Sequence, residues 1–369
     1  MTAAPLIRPV GERDRNEPAM PEAAVPTADL GARLAVSPSD EQATLERVKA
    51  LAELISVQLL NDWSAEGQLD VVCRYAVSAP GKFFRPILLL ESALAVGGDT
   101  YQVLPAAAGT EGAHVASLMH DDIIDGDQVR RGMPAAHVVF GRDDTIVGGD
   151  ALIFYLFGAL SNCAERGVEP DRIVAAMNRA AEAGRDLCRG QMLEEAIRAG
   201  YDCQVESYLE MIELKTGALF RASCFIGATL GGGSSAAAQA LARYGTCLGI
   251  AFQIQDDLLP YLSSDEEAGK SRMSDLANRR LTLPFLLCRE QADVRLAAEM
   301  DELMTRQEDL SGRYQRLSGL LTESGAVTRS AELATRYAGE AIDALSMLAE
   351  SESKASLSYF AKAAVDRCR

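Results

Sequence analysis

Apolar residues recur three or four positions apart through most of the chain, beginning with Leu45, Val48 and Leu51. This spacing places them on one face of an α-helix, and Ser39-Asp40-Glu41 just before them is typical of a helix N-terminus. Strands would need apolar residues at alternate positions, and such runs are scarce here. We therefore predict an all-α fold, a single large bundle of roughly ten or more helices with no sheet.

The N-terminal segment differs in composition from everything that follows it. Six of the 13 prolines lie in the first 40 residues, together with mixed charges and no apolar period. A segment that buries so little apolar surface does not form a packed core. We predict a disordered tail over 1–40 and a helical domain over 41–369, which glycine-rich turn signals at 97–99, 132–134, 167–170 and 231–234 divide into helices.

The net charge of −17 limits the partners that this chain can bind. Neutralising a phosphate backbone takes a basic surface, so we predict that no nucleic acid is bound. The eight cysteines form no CxxC pair, which favours a reducing compartment. Charged residues interrupt the long apolar stretches, and no leader is recognisable, so we expect a cytoplasmic protein without a stable membrane span.

The first acidic cluster, Asp121, Asp122 and Asp125, ends an apolar helical run. Asp121 and Asp125 lie one turn apart on one helix face. Carboxylates so close together repel unless they are protonated or bridged by cations. Oxygen ligands suit Mg²⁺, which also shares its coordination sites with diphosphate oxygens. The alternative is a solvated acidic helix end.

A second acidic cluster, Asp256 and Asp257, follows the apolar positions Ile250 and Ile254. Two acidic clusters that each emerge from an apolar helix are predicted to form opposing walls of one central cavity. Between them they would clamp a metal-bound diphosphate. The competing interpretation is a pair of unrelated helix ends.

Cations recur beside both acidic clusters, although the chain as a whole is acidic. Lys82 and Arg85 precede the apolar run that starts at Ile87, and a helix N-terminus with such side chains binds anions. The other cations are Arg130 and Arg131 after the first cluster, Lys215 beside Thr216 in a helix-forming stretch, and Lys270 after the second cluster.

These motifs, in this order, resemble the trans-isoprenyl diphosphate synthases, the polyprenyl synthetase family. The resemblance is carried by Gly81-Lys82, Arg85-Pro86, 111–125, 130–134, Gly149-Asp150, Gly190-Gln191, 215–217, 252–257, Gly269-Lys270, Asp275-Leu276 and 282–284. It implies the isoprenoid synthase fold, a homodimer, and head-to-tail condensation of isopentenyl diphosphate with dimethylallyl, geranyl or farnesyl diphosphate.

The resemblance also assigns roles to residues of this chain. Isopentenyl diphosphate would be bound by Lys82, Arg85, His114 and Arg131. Mg²⁺, with three ions present when diphosphate is bound, would be held by Asp121, Asp125 and Asp256, supported by Asp122 and Asp257. The allylic diphosphate would be bound by Arg130, Lys215, Thr216, Gln253 and Lys270.

The chain departs from the family pattern at three places. Pro260 stands where the second cluster usually has its last aspartate, and we expect it to end its helix about a turn early. Arg279-Arg280 replaces the usual Gly-Lys, and Glu194 stands near a usual aspartate. We expect these changes to affect substrate affinity and metal geometry more than the class of reaction.

Small residues one to two turns before Asp121, namely Ala113, Ala116 and Ser117, bear on product length. In the family a bulky side chain in this region blocks the tunnel for the growing chain. Its absence here implies geranylgeranyl diphosphate or a longer product.

Two other functions share part of this pattern. A class I terpene cyclase would need a second metal motif of Asn, Ser and Glu at four-residue spacing, which the sequence lacks, and it would not need the isopentenyl site. A non-catalytic subunit is suggested by Pro260 and Arg279, but the complete first acidic cluster argues against it.

Overall fold

The computed structural model describes residues 41–63, 66–200, 204–262, 273–306 and 308–366. The tail predicted over 1–40 and Lys270 therefore lie outside the described residues. The helices, numbered in chain order, are α1 (Glu41–Asp62), α2 (Gln68–Ser78), α3 (Phe84–Ala95), α4 (Thr100–Asp125), α5 (Ala136–Phe140), α6 (Arg142–Asn162), α7 (Pro170–Arg198), α8 (Val205–Ile212), α9 (Ala218–Leu230), α10 (Ser235–Leu262), α11 (Ser274–Ala277), α12 (Leu283–Glu290), α13 (Val294–Thr305), α14 (Leu310–Glu323), α15 (Ala326–Ala344) and α16 (Glu352–Val365). The all-α prediction is confirmed.

The prediction that no sheet occurs was wrong at one place. Strands β1 (Val129–Arg130) and β2 (Met133–Pro134) form an antiparallel pair after α4. Two-residue strands are too short to give a recognisable alternation in the sequence. The loop residues Arg131 and Gly132 both have positive φ, 53° and 79°, as a tight hairpin that matches the twist of its strands requires. The hairpin returns the chain toward α4.

Helix α4 carries the first acidic cluster, and its two ends explain its length. The Asp99 side chain accepts a hydrogen bond from the Tyr101 amide at 2.9 Å, which caps the N-terminus. Gly126, with φ of 72°, ends the helix directly after Asp125. Carboxylates at a helix C-terminus face the negative end of its dipole, so this placement costs local stability.

Close backbone contact fixes α4 against α6. A Cβ atom on Gly112 of α4 would lie 2.9 Å from the Tyr155 ring, and one on Gly149 of α6 would lie 2.4 Å from His120 Nε2. Because glycine has no Cβ, the two helices approach more closely than larger residues would permit. The acidic cluster therefore sits on a firmly packed helix.

A buried ion pair joins the first, third and last helices. Arg47 of α1 donates to Glu91 of α3 (Nε to Oε1, 2.7 Å) and to Ser353 of α16 (NH2 to Oγ, 3.0 Å). Arg47 and Glu91 are both buried. A buried charge is tolerated only with such partners, so removing either side would leave an uncompensated charge in the core.

Pro260 does not shorten its helix as we expected, because α10 continues to Leu262 with Pro260 inside it. Proline has no N–H to donate to the preceding turn, yet its fixed φ is compatible with a helix. The Pro260 carbonyl accepts a hydrogen bond from the Tyr314 hydroxyl of α14. A tertiary contact thus supports the helix end that proline weakens locally.

The stretch that contains Lys215 is helical, as predicted, but not uniformly α-helical. Residues Glu213–Gly217 form a π-turn between α8 and α9. The backbone of α7 lies directly against it, since a Cβ on Gly190 would come within 2.4 Å of the Lys215 amide nitrogen. π-Turns are often found at functional sites, and this one contains Lys215 and Thr216.

Among the described residues, one segment, Arg142–Arg166, is long and apolar enough to cross a membrane by length and composition, with a hydropathy of 1.4. A core helix of a soluble protein meets the same criterion, so a single such segment is weak evidence for a span. It consists of α6 and the 3₁₀ turn Ala164–Arg166.

Candidate active site

A polar cavity of about 220 Å³ lies between α4 and α10. Seven residues predicted to bind metal or the allylic diphosphate line it: Asp121, Asp125, Arg130, Lys215, Thr216, Gln253 and Asp257. The two acidic clusters therefore do face one cavity, which we call the acidic cavity. The interpretation as two unrelated helix ends is not supported.

On the α4 wall, each carboxylate lies near a cation. Burial raises the pKa of Asp121, and Lys215 opposes this effect. Asp125 accepts a hydrogen bond from Arg280 NH2 at 2.6 Å. Across the cavity, Lys215 Nζ lies 2.5 Å from Glu194 Oε2. The carboxylates of this cavity are thus only partly balanced by protein cations.

On the α10 wall, Asp257 is held by a chain of hydrogen bonds. The Tyr208 hydroxyl donates to it at 2.5 Å and Gln253 Nε2 at 3.0 Å. The Thr216 hydroxyl in turn donates to Gln253 Oε1 at 2.8 Å. Burial, reinforced by the nearby charge of Asp275, raises the pKa of Asp257 to about 7. Asp257 is accordingly oriented by two side chains, Tyr208 and Gln253, and Thr216 orients the second of them.

Asp256 does not line the acidic cavity, although we predicted it as a principal metal ligand. It is half-buried on α10, and its charge raises the pKa of Arg85, which burial lowers to about 10. Asp256 therefore lies electrostatically close to a residue of the second cavity described below. Within the described residues, no group of three His, Cys, Asp or Glu side chains is arranged to hold a metal ion.

The acidic cavity nonetheless suits a hydrated divalent cation with a diphosphate. It presents oxygen donors from two walls, and oxygen donors are what Mg²⁺ prefers. Because no protein cage encloses the ion, Mg²⁺ would keep waters and take diphosphate oxygens as further ligands. Asp121 and Asp125 would hold it from α4, and Asp257 from α10.

Asp122 occupies a different place from its neighbours in the cluster. It is 3% exposed, it does not line the acidic cavity, and it accepts a hydrogen bond from Arg130 Nε at 2.7 Å. Arg130 also contacts Asp127 at 2.9 Å. Asp122 therefore orients Arg130 at the cavity wall, a role that a direct metal ligand would not have.

A second cavity, of about 450 Å³, lies two helix turns before the acidic cluster. All four residues predicted to bind isopentenyl diphosphate line it: Lys82, Arg85, His114 and Arg131. We call it the arginine cavity. Arg85 lies in the first turn of α3, which begins at Phe84, three residues earlier than the apolar run suggested.

His114 lies between the two guanidinium groups of the arginine cavity. Arg85 NH1 lies 3.1 Å from His114 Nε2 and Arg131 NH2 lies 3.4 Å from the same atom. Burial and the adjacent arginines hold the pKa of His114 well below its usual value. The ring is therefore neutral, and since both arginines can only donate, Nε2 accepts and the proton sits on Nδ1.

Polar residues that we did not predict also line these cavities. Tyr208, Asp275 and Arg280 line the acidic cavity, and Glu111 lines the arginine cavity. The spacing of Glu111 from His114, one helix turn, was a signal in the sequence. Arg280 had been noted only as a departure from the family pattern.

The three residues predicted to control product length differ in exposure. Ala116 is completely buried, whereas Ala113 and Ser117 are half-buried. None of them lines the acidic or the arginine cavity. The Ser117 hydroxyl donates to the His114 carbonyl within α4 at 2.7 Å.

A helical bundle that places an acidic and an arginine cavity along the same two helices, α4 and α10, defines an enzyme of the isoprenoid synthase class. The polyprenyl synthetase family matches residues 66–319 of the chain, and the chain belongs to this family of prenyl-transferring enzymes. The resemblance inferred from the sequence is therefore confirmed, and prenyl transfer rather than cyclisation is its reaction class.

The chain is similar to individual members of the family over most of its length. It is 36% identical to geranylgeranyl diphosphate synthase of Methanosarcina mazei, covering 81% of this chain and 90% of the relative. It is 33% identical to geranylfarnesyl diphosphate synthase of Aeropyrum pernix, covering 80% and 93%. The crystal structure of polyprenyl synthase from Caulobacter crescentus, complexed with calcium and isoprenyl diphosphate, superposes with a TM-score of 0.79 at 29% identity, covering 91% and 100%.

Proposed function

We propose that the chain condenses isopentenyl diphosphate with an allylic diphosphate, using Mg²⁺, and releases geranylgeranyl diphosphate or a longer product. The observation that carries the proposal is the placement of the two cavities. His114 and Asp121 are seven residues apart on α4, about 10 Å along the helix axis. Two diphosphates bound in these cavities would bring their hydrocarbon parts together.

In the acidic cavity, Lys215, Arg130 and Thr216 would bind the allylic diphosphate, with Gln253 holding Thr216 in place. Arg280 would leave Asp125 for the diphosphate. When bound, Mg²⁺ supplies positive charge to the diphosphate as the allylic C–O bond breaks and its electron pair leaves with the diphosphate. The assignment rests on the cluster of cations and carboxylates that line this cavity.

In the arginine cavity, Lys82, Arg85, Arg131 and neutral His114 would bind isopentenyl diphosphate. Its double bond then forms the new C–C bond to the allylic carbon, and a proton passes to an oxygen of the departed diphosphate. A neutral His114 donates a hydrogen bond without acting as a base toward the substrate. No covalent bond to the enzyme is needed.

The product length is proposed from the small side chains on α4 and from the two relatives, one a geranylgeranyl and the other a geranylfarnesyl diphosphate synthase by name. Because Ser117 is half-buried and Ala116 is completely buried, Ser117→Phe has more room than Ala116→Phe. We expect Ser117→Phe to shorten the main product by at least one isoprene unit, which chromatography of dephosphorylated products measures. Farnesyl diphosphate as the only wild-type product would contradict this assignment.

We also propose that the chain forms a homodimer through α6. Val147, Ile153 and Phe154 of this helix are exposed, Phe154 by 73%. An apolar surface of this kind on a helix marks an interaction site. Sedimentation should give twice the chain mass of 39.5 kDa, and Phe154→Glu should shift the protein toward the monomer.

The reaction itself is tested with the purified chain, Mg²⁺ and isopentenyl diphosphate, supplying dimethylallyl, geranyl or farnesyl diphosphate in separate reactions. We expect a longer prenyl diphosphate with at least one primer. Absence of product with every primer would instead support the non-catalytic subunit. The cytoplasmic location remains a prediction.

A further inference from the structure

Glu111 is a buried carboxylate that the reaction described above does not use. Its side chain is 2% exposed, it lines the arginine cavity, and neither of its oxygens has a hydrogen-bond partner among the described residues. A buried carboxylate without partners costs several kcal/mol unless nearby charge compensates it. Its position therefore needs a functional explanation.

Cationic side chains and the neutral ring of His114 surround Glu111 in the arginine cavity. Arg131 NH2 of the hairpin lies 3.7 Å from Glu111 Oε1, too far for a hydrogen bond but close enough for strong attraction. Arg85 of α3 and His114 of α4 share the cavity, and Lys82 lies at its edge. Asp256 of α10 acts on Arg85. On the α6 side, Tyr155 donates to Asp62 at 2.5 Å and so is committed elsewhere.

The backbone near Glu111 allows the Arg131 guanidinium group to come close to it. A Cβ on Gly81 would lie 2.7 Å from Arg131 NH1 and 3.5 Å from Glu111 Oε1, so glycine is what lets Arg131 come near. Arg131 itself has a φ of 53°, a conformation that costs a non-glycine residue roughly 1–2 kcal/mol. The guanidinium group is therefore held beside Glu111 against local backbone preference.

We propose that Glu111 is a positioning residue that shares the guanidinium groups of Arg85 and Arg131 with the diphosphate of isopentenyl diphosphate, and that it takes up a proton when this substrate binds. The proposal rests on the proposed function of the arginine cavity. Without substrate, ionised Glu111 holds the two arginines together. With substrate, the diphosphate takes over their positive charge, and a second anion at that place becomes unfavourable.

The pKa of Glu111 without substrate is consistent with this transfer of the two arginines from Glu111 to the diphosphate. Burial raises its pKa to about 7, and the charges of Arg131 and Arg85 oppose that rise. When a diphosphate compensates those charges, the pKa of Glu111 rises further. A group with a higher pKa in the complex favours binding at low pH, so affinity for isopentenyl diphosphate should fall as the pH rises above about 7, by at most tenfold per pH unit.

The decisive comparison is between the wild type and Glu111→Gln, which mimics the protonated carboxyl at every pH. We expect equal KM values for isopentenyl diphosphate near pH 6, and a wild-type KM roughly tenfold above that of Glu111→Gln near pH 8.5. Since the substrate's own titration affects both proteins equally, it cancels in the ratio. The KM for the allylic substrate and kcat should change less than about twofold, because Glu111 lies outside the acidic cavity.

A ratio of KM values that does not change with pH would overturn the proposal, and so would an equal change in the KM for the allylic substrate. If Glu111→Gln does not fold, calorimetry of the wild type decides the matter. Binding of isopentenyl diphosphate near pH 8, in two buffers of different ionisation enthalpy, should show net proton uptake after the free ligand's own protons are subtracted; no uptake overturns the proposal. Failure of the wild type to bind isopentenyl diphosphate at all would instead refute the proposed function.

Discussion

The acidic cavity and the arginine cavity lie on the same helices but balance charge in opposite ways. In the acidic cavity, carboxylates on two walls outnumber the cations, and the ion pairs Arg280–Asp125 and Lys215–Glu194 compensate only part of the charge. In the arginine cavity, three cations surround one carboxylate, Glu111. One site therefore requires added positive charge before it can accept a diphosphate, whereas the other contains that charge already.

This difference explains how a strongly acidic chain can bind two anionic substrates. Under the proposed function, positive charge is concentrated where isopentenyl diphosphate would stay intact. In the acidic cavity a metal would supply it, because the charge of the leaving diphosphate would grow there as the C–O bond breaks. The predictions below test whether the two cavities differ in this way.

Metal chelation should affect the two cavities unequally. With excess EDTA, we expect turnover to fall to background and binding of an allylic diphosphate to weaken at least tenfold, because the carboxylates of the acidic cavity are left uncompensated. Binding of isopentenyl diphosphate, measured by calorimetry, should change less than about threefold, since arginines supply its charge. Equal losses of binding affinity at both cavities would show that the two cavities do not differ in their dependence on metal.

Asp121→Ala should lower kcat by roughly 10³-fold. Because burial disfavours the ionised form of Asp121, its removal should leave the melting temperature within about 3 °C of the wild type. The exposed Glu302→Ala on α13 is the matched control and should change neither quantity. The same measurement of kcat for Asp256→Ala and Asp257→Ala would show which residue of α10 contributes more to turnover. An unchanged kcat in Asp121→Ala would refute the mechanism.

The consecutive residues Arg130 and Arg131 line different cavities, which permits a paired test. Lysine keeps the charge of arginine but not its planar fork of donors. We expect Arg131→Lys to raise the KM for isopentenyl diphosphate roughly 10- to 100-fold and Arg130→Lys to raise the KM for the allylic substrate. Steady-state kinetics with each substrate varied in turn measure both KM values. A variant that raises both KM values equally would show that the two arginines do not serve separate cavities.

Arg279→Gly should have the smallest effect and should be stabilising. Arg279 has a φ of 55°, so glycine relieves strain of about 1 kcal/mol, which corresponds to a rise of about 2–3 °C in melting temperature. Asp309 also has positive φ, 48°, but its side chain accepts from the Gly312 amide at 3.0 Å. Asp309→Gly should therefore gain less stability, because it also loses this hydrogen bond. An equal gain in both variants would show that backbone strain alone decides the effect and that the Asp309 side chain contributes nothing.

The helices were predictable from the sequence because they follow from local spacing. Cations beside the acidic clusters were visible there too, but their assignment to two substrates came from the family resemblance. The same resemblance made Asp256 the principal ligand of α10, whereas Asp257 lines the acidic cavity. Adjacent residues point about 100° apart, and the packing of α10 determines which one faces the cavity. The sequence also could not show that the helix continues past Pro260, because the hydrogen bond that supports it comes from Tyr314, 54 residues away. Glu111 was overlooked because one acidic residue in an apolar helix does not reveal that two distant arginines face it.

The Arg47–Glu91–Ser353 contact has a consequence for how the chain is synthesised. Ser353 is 306 residues after Arg47, and Phe360 of the last helix packs on Phe84 at the entrance of the arginine cavity, with ring centroids 5.1 Å apart. Contacts this distant along the chain form late, after the intervening segments have been ordered. A nascent chain therefore leaves Arg47 and Phe84 without these two contacts until α16 has emerged from the ribosome. Translation that stops short of α16 yields a chain in which buried Arg47 lacks Ser353 and the Phe84 ring lacks Phe360.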